Sequence, residues 1–211
     1  MQRDGTGGAV GPEIRQASSA DVPELAAMLV RAFVDDPIAN FMFAGDRRRR
    51  RGLHAFFSSQ LRRQYMRYGH VYTTDQKDGA ALWGPPDAHR NGVRELIQLL
   101  PAAPFLVSAR AHRALQLLFE VDSLHPKEPH WYLATLGTEP AMQGKGRGSA
   151  LLHSMIRRID ESGSPAYLES SKERNVPFYA RFGFEVIDEF RSKVGSPPIW
   201  RMWREPGVPD T

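Results

Sequence analysis

Gln143, Gly144, Lys145, Gly146, Arg147 and Gly148 form a glycine-rich run between an apolar, strand-like segment (131–138) and an amphipathic helical one (149–161). Glycines at such a junction let main-chain N–H groups close around an anion, and the helix dipole adds attraction for phosphate. The chemistry this spacing suggests is the holding of a pyrophosphate-bearing ligand. It is not a Walker A loop, because Lys145 is followed by Gly146 and the Ser149 hydroxyl is out of register for magnesium. Nor is it a dinucleotide loop: glycines at 144, 146 and 148 do not make G-x-G-x-x-G, and the run lies late in the chain.

Read as Q-x-x-G-x-G through Gln143, Gly146 and Gly148, the run resembles the acetyl-CoA loop of the GNAT acetyltransferase superfamily. The lead-in Leu136-Gly137-Thr138-Glu139-Pro140 is similar to the family's strand that ends in a proline-bearing turn. Downstream, the strand-like 166–171 is followed by Asn175, then Phe178-Tyr179, then Gly183-Phe184, which resembles the family's closing motif at the expected distance. Three further stretches (126–135, 168–171 and 32–37) are similar to puromycin N-acetyltransferase and its relatives. The resemblance runs from Ile14 to Trp203, is strongest over 126–187, and is weakest over 86–125, where the acceptor pocket is expected to take its shape.

The resemblance implies an α/β fold of the mixed α+β kind: the GNAT acyl-CoA N-acyltransferase fold, a central, mostly antiparallel twisted sheet flanked by helices. It implies acetyl-CoA as donor, CoA as product, and no metal. Main-chain groups of Leu136, Gly137 and Thr138 would face the pantetheine arm as a neighbouring strand does, and an N–H there would polarise the thioester carbonyl. N–H groups from Gly144 to Ser149 would hold the pyrophosphate. Lys145 and Arg147 either add charge to it or stay in solvent, and Gln143 bonds the loop or the phosphates. Asn175 matches the family asparagine beside the cofactor arm and equally suits a helix N-cap.

Tyr179 matches the family tyrosine near the sulfur, a general acid whose phenol protonates the leaving thiolate. Glu169, at the end of a strand expected to diverge, is the candidate base or an ordinary structural carboxylate. Asp35 and Asp36 either draw a cationic amine or end a helix. Phe33, Trp83 and Tyr132, with Phe41 and Trp131, are candidate acceptor contacts. Neighbours on one strand face opposite sides, so Trp131 and Tyr132 cannot both enter one pocket. His130 and His153 are read as non-catalytic.

The elements that must position these residues follow from periodicity. A short strand at 14–17 precedes a helix capped by Ser18 or Ser19, whose apolar face is Val22, Leu25, Met28, Leu29, Ala32 and Phe33. Asp35-Asp36-Pro37 interrupts it, and a second helix follows over 47–68. Residues 70–74 and 80–84 read as a hairpin around a polar turn. Two helices over 91–119 break near Pro101 and Pro104. Then come the strand 131–138, the helix 149–161, the strand 166–171, a short helix near 176–181, and strands near 184–190 and 199–204. This order suits a mixed sheet.

The chain has 211 residues and no cysteine, which excludes disulfides, thiolate zinc sites and a cysteine acyl-enzyme. Direct attack of the amine in a ternary complex is therefore expected over a ping-pong route. Residues 1–12 read as a flexible segment without a signal-peptide core, 13–205 as one domain and 206–211 as a tail. No apolar run is long enough to span a bilayer, and a cytoplasmic location is expected. The net charge of +4 suits an anionic cofactor. Arg47 to Arg51 read as the solvated start of a helix, not a nucleic-acid contact. No spacing of His, Asp and Glu suggests a metal site.

The expected partner is a small-molecule primary amine: a puromycin-like aminonucleoside, another antibiotic or a metabolite, acetylated for detoxification. No nucleic-acid or membrane partner is expected, and the protein would act as a monomer or homodimer. A protein or peptide N-acetyltransferase is the alternative, to be told apart by an open groove at 86–125. A non-catalytic acyl-CoA-binding module is the third reading.

Overall fold

The computed structural model describes residues 11–86, 88, 101–105 and 108–207. Most of the segments expected to be a flexible start, a C-terminal tail and a helix over 91–100 lie outside them. The described residues build one seven-stranded sheet in the order β1-β2-β3-β4-β5-β7-β6. Its strands are β1 (Ile14–Gln16), β2 (Val71–Thr74), β3 (Gly79–Gly84), β4 (Trp131–Thr138), β5 (Ala166–Ser170), β6 (Glu185–Phe190) and β7 (Ile199–Arg204). Every neighbouring pair is antiparallel except β4 and β5.

The helices are α1 (Val22–Phe33), α2 (Pro37–Met42), α3 (Asp46–Ser59), α4 (Ser108–Leu124), α5 (Arg147–Glu161) and α6 (Val176–Ala180). The apolar stripe of α1 packs Leu25, Met28 and Leu29 into one core with α3, Ala80 and Leu82. The stripe of α5 packs Leu151, Leu152, Met155 and Ile159 on the other face, with Ala81 and Trp83. Strand β3 is thus buried on both faces, which explains its small and apolar side chains. No helix among the described residues is long and apolar enough to cross a membrane.

Two expectations shift. The helix read over 47–68 is α3 followed by a π-helical turn (Gln60–Tyr65) and a 3-10 turn (Met66–Tyr68). The wide turn buries Leu61 and Tyr65 and lets Gln60 Oε1 accept from the Thr135 hydroxyl at 2.8 Å, satisfying a polar group of the central strand. Ser18 caps a 3-10 turn (Ser19–Asp21) before α1, in a capping box with Asp21.

Two irregularities of β4 place the site. Opposite β3, Leu82 pairs with Thr135 and Trp83 with Leu133, so Ala134 is an extra residue. Before it, Leu133 faces the α5 core; after it, Thr135 and Gly137 face the α1 side, where a Cβ on Gly137 would meet Leu29 at 2.5 Å. On its other edge, β4 pairs with β5 only through Trp131, Tyr132 and Leu133. Beyond Leu133 the two strands part.

The far side of the sheet is clamped by Arg204. Its guanidinium donates to both oxygens of Asp160 at 2.6 and 3.0 Å and to the Phe182 carbonyl at 2.7 Å, tying β7 to α5 and to the loop after α6. Asp160 also accepts from Gly207 N–H at 2.7 Å. Arg204→Ala would leave these acceptors without their donor in a largely buried place. We expect a loss of about 3 kcal/mol in chemical denaturation, and an unchanged midpoint would contradict the clamp.

Candidate active site

Where β4 and β5 part, a cleft of about 440 Å³ opens. One wall is the end of β4, Leu133 to Thr138; the other is Leu168 to Lys172 with Asn175, Phe178 and Tyr179. Phe33, Asp36 and the glycine run complete the lining. The cleft edge of β4 after Leu133 has no strand partner among the described residues. Its main-chain groups can therefore pair with an extended ligand.

The glycine run is shaped for an anion. Gly144 and Gly146 have φ of 76° and 80°, in the left-handed region that disfavours side chains. Gly146 turns the chain into α5, where Ala150 N–H bonds the Gly146 carbonyl at 2.9 Å. The preceding N–H groups of Arg147, Gly148 and Ser149 have no intrahelical acceptor. A Cβ on Gly148 would sit 3.3 Å from the Phe178 ring, so the bare backbone keeps that passage open. Gln143 Nε2 donates to the Thr138 carbonyl at 3.3 Å, which braces the loop.

The two cations of the run differ. Arg147 Nε donates to Asp78 Oδ2 at 3.1 Å, so its guanidinium pins the loop to the β2–β3 turn. Lys145 is exposed and does not line the cleft. Cleft-lining cations that sequence reasoning missed are Lys172, Arg174 and Arg181. The signal was available: Arg174, Phe178 and Arg181 recur at helical spacing around Tyr179, and the Arg181 guanidinium lies 5.5 Å from the Phe178 ring centroid.

Asn175 occupies the N-cap position of α6 but makes no side-chain cap bond, and it lines the cleft. Tyr179 lies in the cleft wall, 8% exposed, and burial pushes its phenol well above the usual range. Its hydroxyl thus keeps its proton at neutral pH.

Glu169 reaches the same cleft with its side chain 12% exposed. Burial alone would raise its pKa, but hydrogen bonding from His125, Tyr132 and Tyr167 outweighs it and holds the carboxyl below the ordinary range. The Tyr132 hydroxyl donates to Oε2 at 2.6 Å, and His125 Nδ1 lies 3.7 Å from Oε1.

Three expected acceptor contacts sit elsewhere. Trp83 is fully buried under α5, because an inward position on a central strand is filled by the largest side chain that fits. Tyr132 is turned to Glu169 and does not line the cleft. Asp35 is exposed, one residue before the cap of α2. Phe33 and Asp36 do line the cleft, but Asp36 is already engaged: its Oδ1 accepts from Ile38 and Ala39 N–H at 2.9 and 3.2 Å, and its Oδ2 accepts from the Ser171 hydroxyl. It caps a helix and ties the turn between α1 and α2 to the segment after β5.

The model of the Acetyltransferase (GNAT) family matches residues 109–184. An uncharacterized N-acetyltransferase of Schizosaccharomyces pombe is 26% identical over 193 residues, covering 81% of this chain and 73% of its own. A solved Corynebacterium glutamicum protein named "histone acetyltransferase HPA2 and related acetyltransferase" is similar at 29% identity and a TM-score of 0.70, covering 96% of this chain and 100% of its own. A Drosophila melanogaster polyamine N-acetyltransferase shares the fold at 14% identity and a TM-score of 0.63, covering 90% and 97%. The chain has the GNAT fold.

The double engagement of Asp36 predicts a stability effect. Asp36→Ala should cost about 1–2 kcal/mol in chemical denaturation through the lost cap, while Asp36→Asn, which still caps, should cost much less. Equal losses would argue against the cap.

Proposed function

We propose that this chain is an acetyl-CoA-dependent N-acetyltransferase acting on the primary amine of a small molecule by direct transfer in a ternary complex. The observation that carries the reading is one cleft lined by a glycine-rich helix entrance, an unpaired strand edge, a protonated tyrosine and a buried carboxylate. Acetyl-CoA, when bound, supplies the acetyl group as an activated thioester.

The residues present fit that group. N–H groups from Gly144 to Ser149 take the pyrophosphate, with Lys172, Arg174 and Arg181 offering charge nearby. Leu136, Gly137 and Thr138 present main-chain groups to the pantetheine arm, and one N–H there orients the carbonyl. Asn175, free of capping duty, faces the same arm. Tyr179 holds a proton at its phenolic oxygen for the leaving sulfur. Glu169, held anionic, draws the acceptor ammonium and receives its proton.

A small acceptor is favoured by the Asp36–Ser171 contact, which joins the turn after α1 to the segment after β5 and narrows the cleft they both line. An aminonucleoside such as puromycin heads the candidates, on the sequence resemblance over 126–187. Polyamine-like cations follow, because Glu169 is an anionic group lining the cleft.

Thiol release from acetyl-CoA with purified protein and a panel of amines tests the reading. Turnover should depend on the amine. Tyr179→Phe should lower kcat by about 10²–10⁴-fold and leave the calorimetric Kd for acetyl-CoA unchanged. Undiminished turnover in Tyr179→Phe would remove the acid assignment. Acetyl-CoA binding without turnover on any amine would favour the non-catalytic acyl-CoA-binding module.

A further inference from the structure

A row of charged side chains crosses the sheet at Glu169. In the ladders of β5, β7 and β6, Glu169 stands opposite Arg201, and Arg201 stands opposite Asp188. The signs alternate along the row: carboxylate, guanidinium, carboxylate. Two residues back on the same face of β5 is Tyr167, whose partner in the parallel ladder with β4 is Tyr132. The two phenol rings stack, with centroids 6.0 Å apart and planes at 26°.

Arg201 is bound at each of its three nitrogens. Nε donates to the Tyr167 hydroxyl oxygen at 3.1 Å, Nη1 donates to Asp188 Oδ2 at 3.1 Å, and Nη2 donates to the Leu124 carbonyl. A phenol oxygen that accepts from a guanidinium still has its own hydrogen to give. For Tyr167 the acceptor on the same strand face is Glu169. Tyr132 gives its hydrogen to Glu169 Oε2 at 2.6 Å, the length of a charge-assisted bond. Its ring is held by the stack on Tyr167 and by the edge-on contact with His125 at 4.9 Å.

We propose that Arg201 is a positioning residue for the acceptor site: by fixing the Tyr167 hydroxyl, and with it the stacked pair of phenols, it holds the Glu169 carboxylate aimed at the acceptor's ammonium. This rests on the acetyl-transfer reading of the cleft. Arg201 does not line the cleft and acts through Tyr167.

Glu169 needs such support. Its side chain is 12% exposed, and burial alone favours the neutral acid, which would neither attract an ammonium nor take its proton. Hydrogen bonding from His125, Tyr132 and Tyr167 tips the balance to the carboxylate. The phenols are the donors that titration near neutrality does not touch. Burial and the Glu169 charge push Tyr167 well above the usual range, so it keeps its hydrogen, whereas a histidine changes its protonation near neutral pH.

Among the described residues, the titratable and charged groups around Glu169 come from several elements. Tyr132 stands on β4, Tyr167 on β5, and Arg201 on β7 with Asp188 of β6 behind it. His125 follows α4 and itself faces His130. Asp36, Tyr179 and the cations Arg147, Lys172, Arg174 and Arg181 line the same cleft as Glu169.

The test reads the acidity of Glu169 itself. In ligand-free protein labelled with carboxyl carbon-13 glutamate, the resonance lost in Glu169→Gln belongs to Glu169. Its titration midpoint in the parent should lie below the ordinary glutamate value of about 4.3. Tyr167→Phe, which keeps the ring and the stack, should raise that midpoint by about one pH unit, the worth of one hydrogen bond to a charged group. Arg201→Met should raise it in the same direction, and Arg201→Lys, which keeps a donor, should undo most of the rise. An unmoved midpoint in Tyr167→Phe would overturn the phenol link, and an unmoved one in Arg201→Met would overturn the positioning role. If Arg201→Met fails to fold, exchange of the Arg201 Nε hydrogen decides. Slow exchange in the parent and fast exchange in Tyr167→Phe supports the link, and equal rates overturn it.

With an amine that turns over, kcat/KM should fall on the acid side as Glu169 takes a proton, because the neutral acid no longer holds the ammonium. In Tyr167→Phe and Arg201→Met that fall should begin at higher pH, following the NMR midpoint, with the Kd for acetyl-CoA unchanged. An acid limb that stays in place while the midpoint moves would overturn the role in acceptor binding. Silence of the parent on every amine would sink the acetyl-transfer reading, while the NMR midpoints judge the network by themselves.

Discussion

Strands β4 and β5 share three paired positions and then separate, and the rest of the site depends on that separation. A parallel pair normally continues until one strand ends, because each main-chain group left behind must find another partner. Here the shortfall falls on the inner edge of β4 between Ala134 and Thr138. The bulge at Ala134 sits at the point of parting and switches which face the following residues present. Thr135 is then satisfied by Gln60 from the π-helical turn, and Gly137 lies flat under α1. The helix approaches so closely there that any side chain would collide with Leu29. The bare strand edge is thus fixed in place from behind while it stays open in front.

Charge is sorted along the cleft in a way that follows from this frame. The helix entrance at α5 has free N–H groups, and the cations Lys172, Arg174 and Arg181 line the same cleft. Tyr179 and Glu169 line the cleft in surroundings dry enough to move both. Burial acts on them in the same sense, toward the protonated form, yet the outcomes differ. Tyr179 has only burial and stays a phenol. Glu169 has three donors behind it, and they reverse the effect of burial. A carboxylate beside a neutral phenol is the pairing that amine acylation needs, one group to take a proton and one to give it.

Much of this was legible in the chain, and the exceptions have physical reasons. Strand β4 was readable end to end because its alternation and its proline-bearing exit are local properties, and the glycine run announced a helix entrance. Trp83 was misplaced because a large aromatic reads alike in a core and in a pocket; only the order of strands makes β3 central. Tyr132 was read toward the acceptor because nothing in sequence ties it to Glu169, 37 residues away. The clasp between Asp36 and Ser171 spans 135 residues and was equally hidden.

The loop's precision has its own source, and it is not the loop. A glycine-rich turn with φ near 80° is costly to hold in one shape, because glycine gives up the most backbone freedom on ordering. Three contacts reduce what must be ordered when an anion arrives. Gln143 bonds the Thr138 carbonyl from within the run, Arg147 bonds Asp78 from the neighbouring hairpin, and Glu139 is held by Arg31 of α1 at 2.8 Å. The first two tie the run to β4 and the β2–β3 turn, and the third ties its lead-in to α1. The positive charge of Arg147 is better used there than on a phosphate. A mobile guanidinium would add attraction to a ligand, whereas a pinned one sets the direction of the N–H groups that make the site selective for its shape.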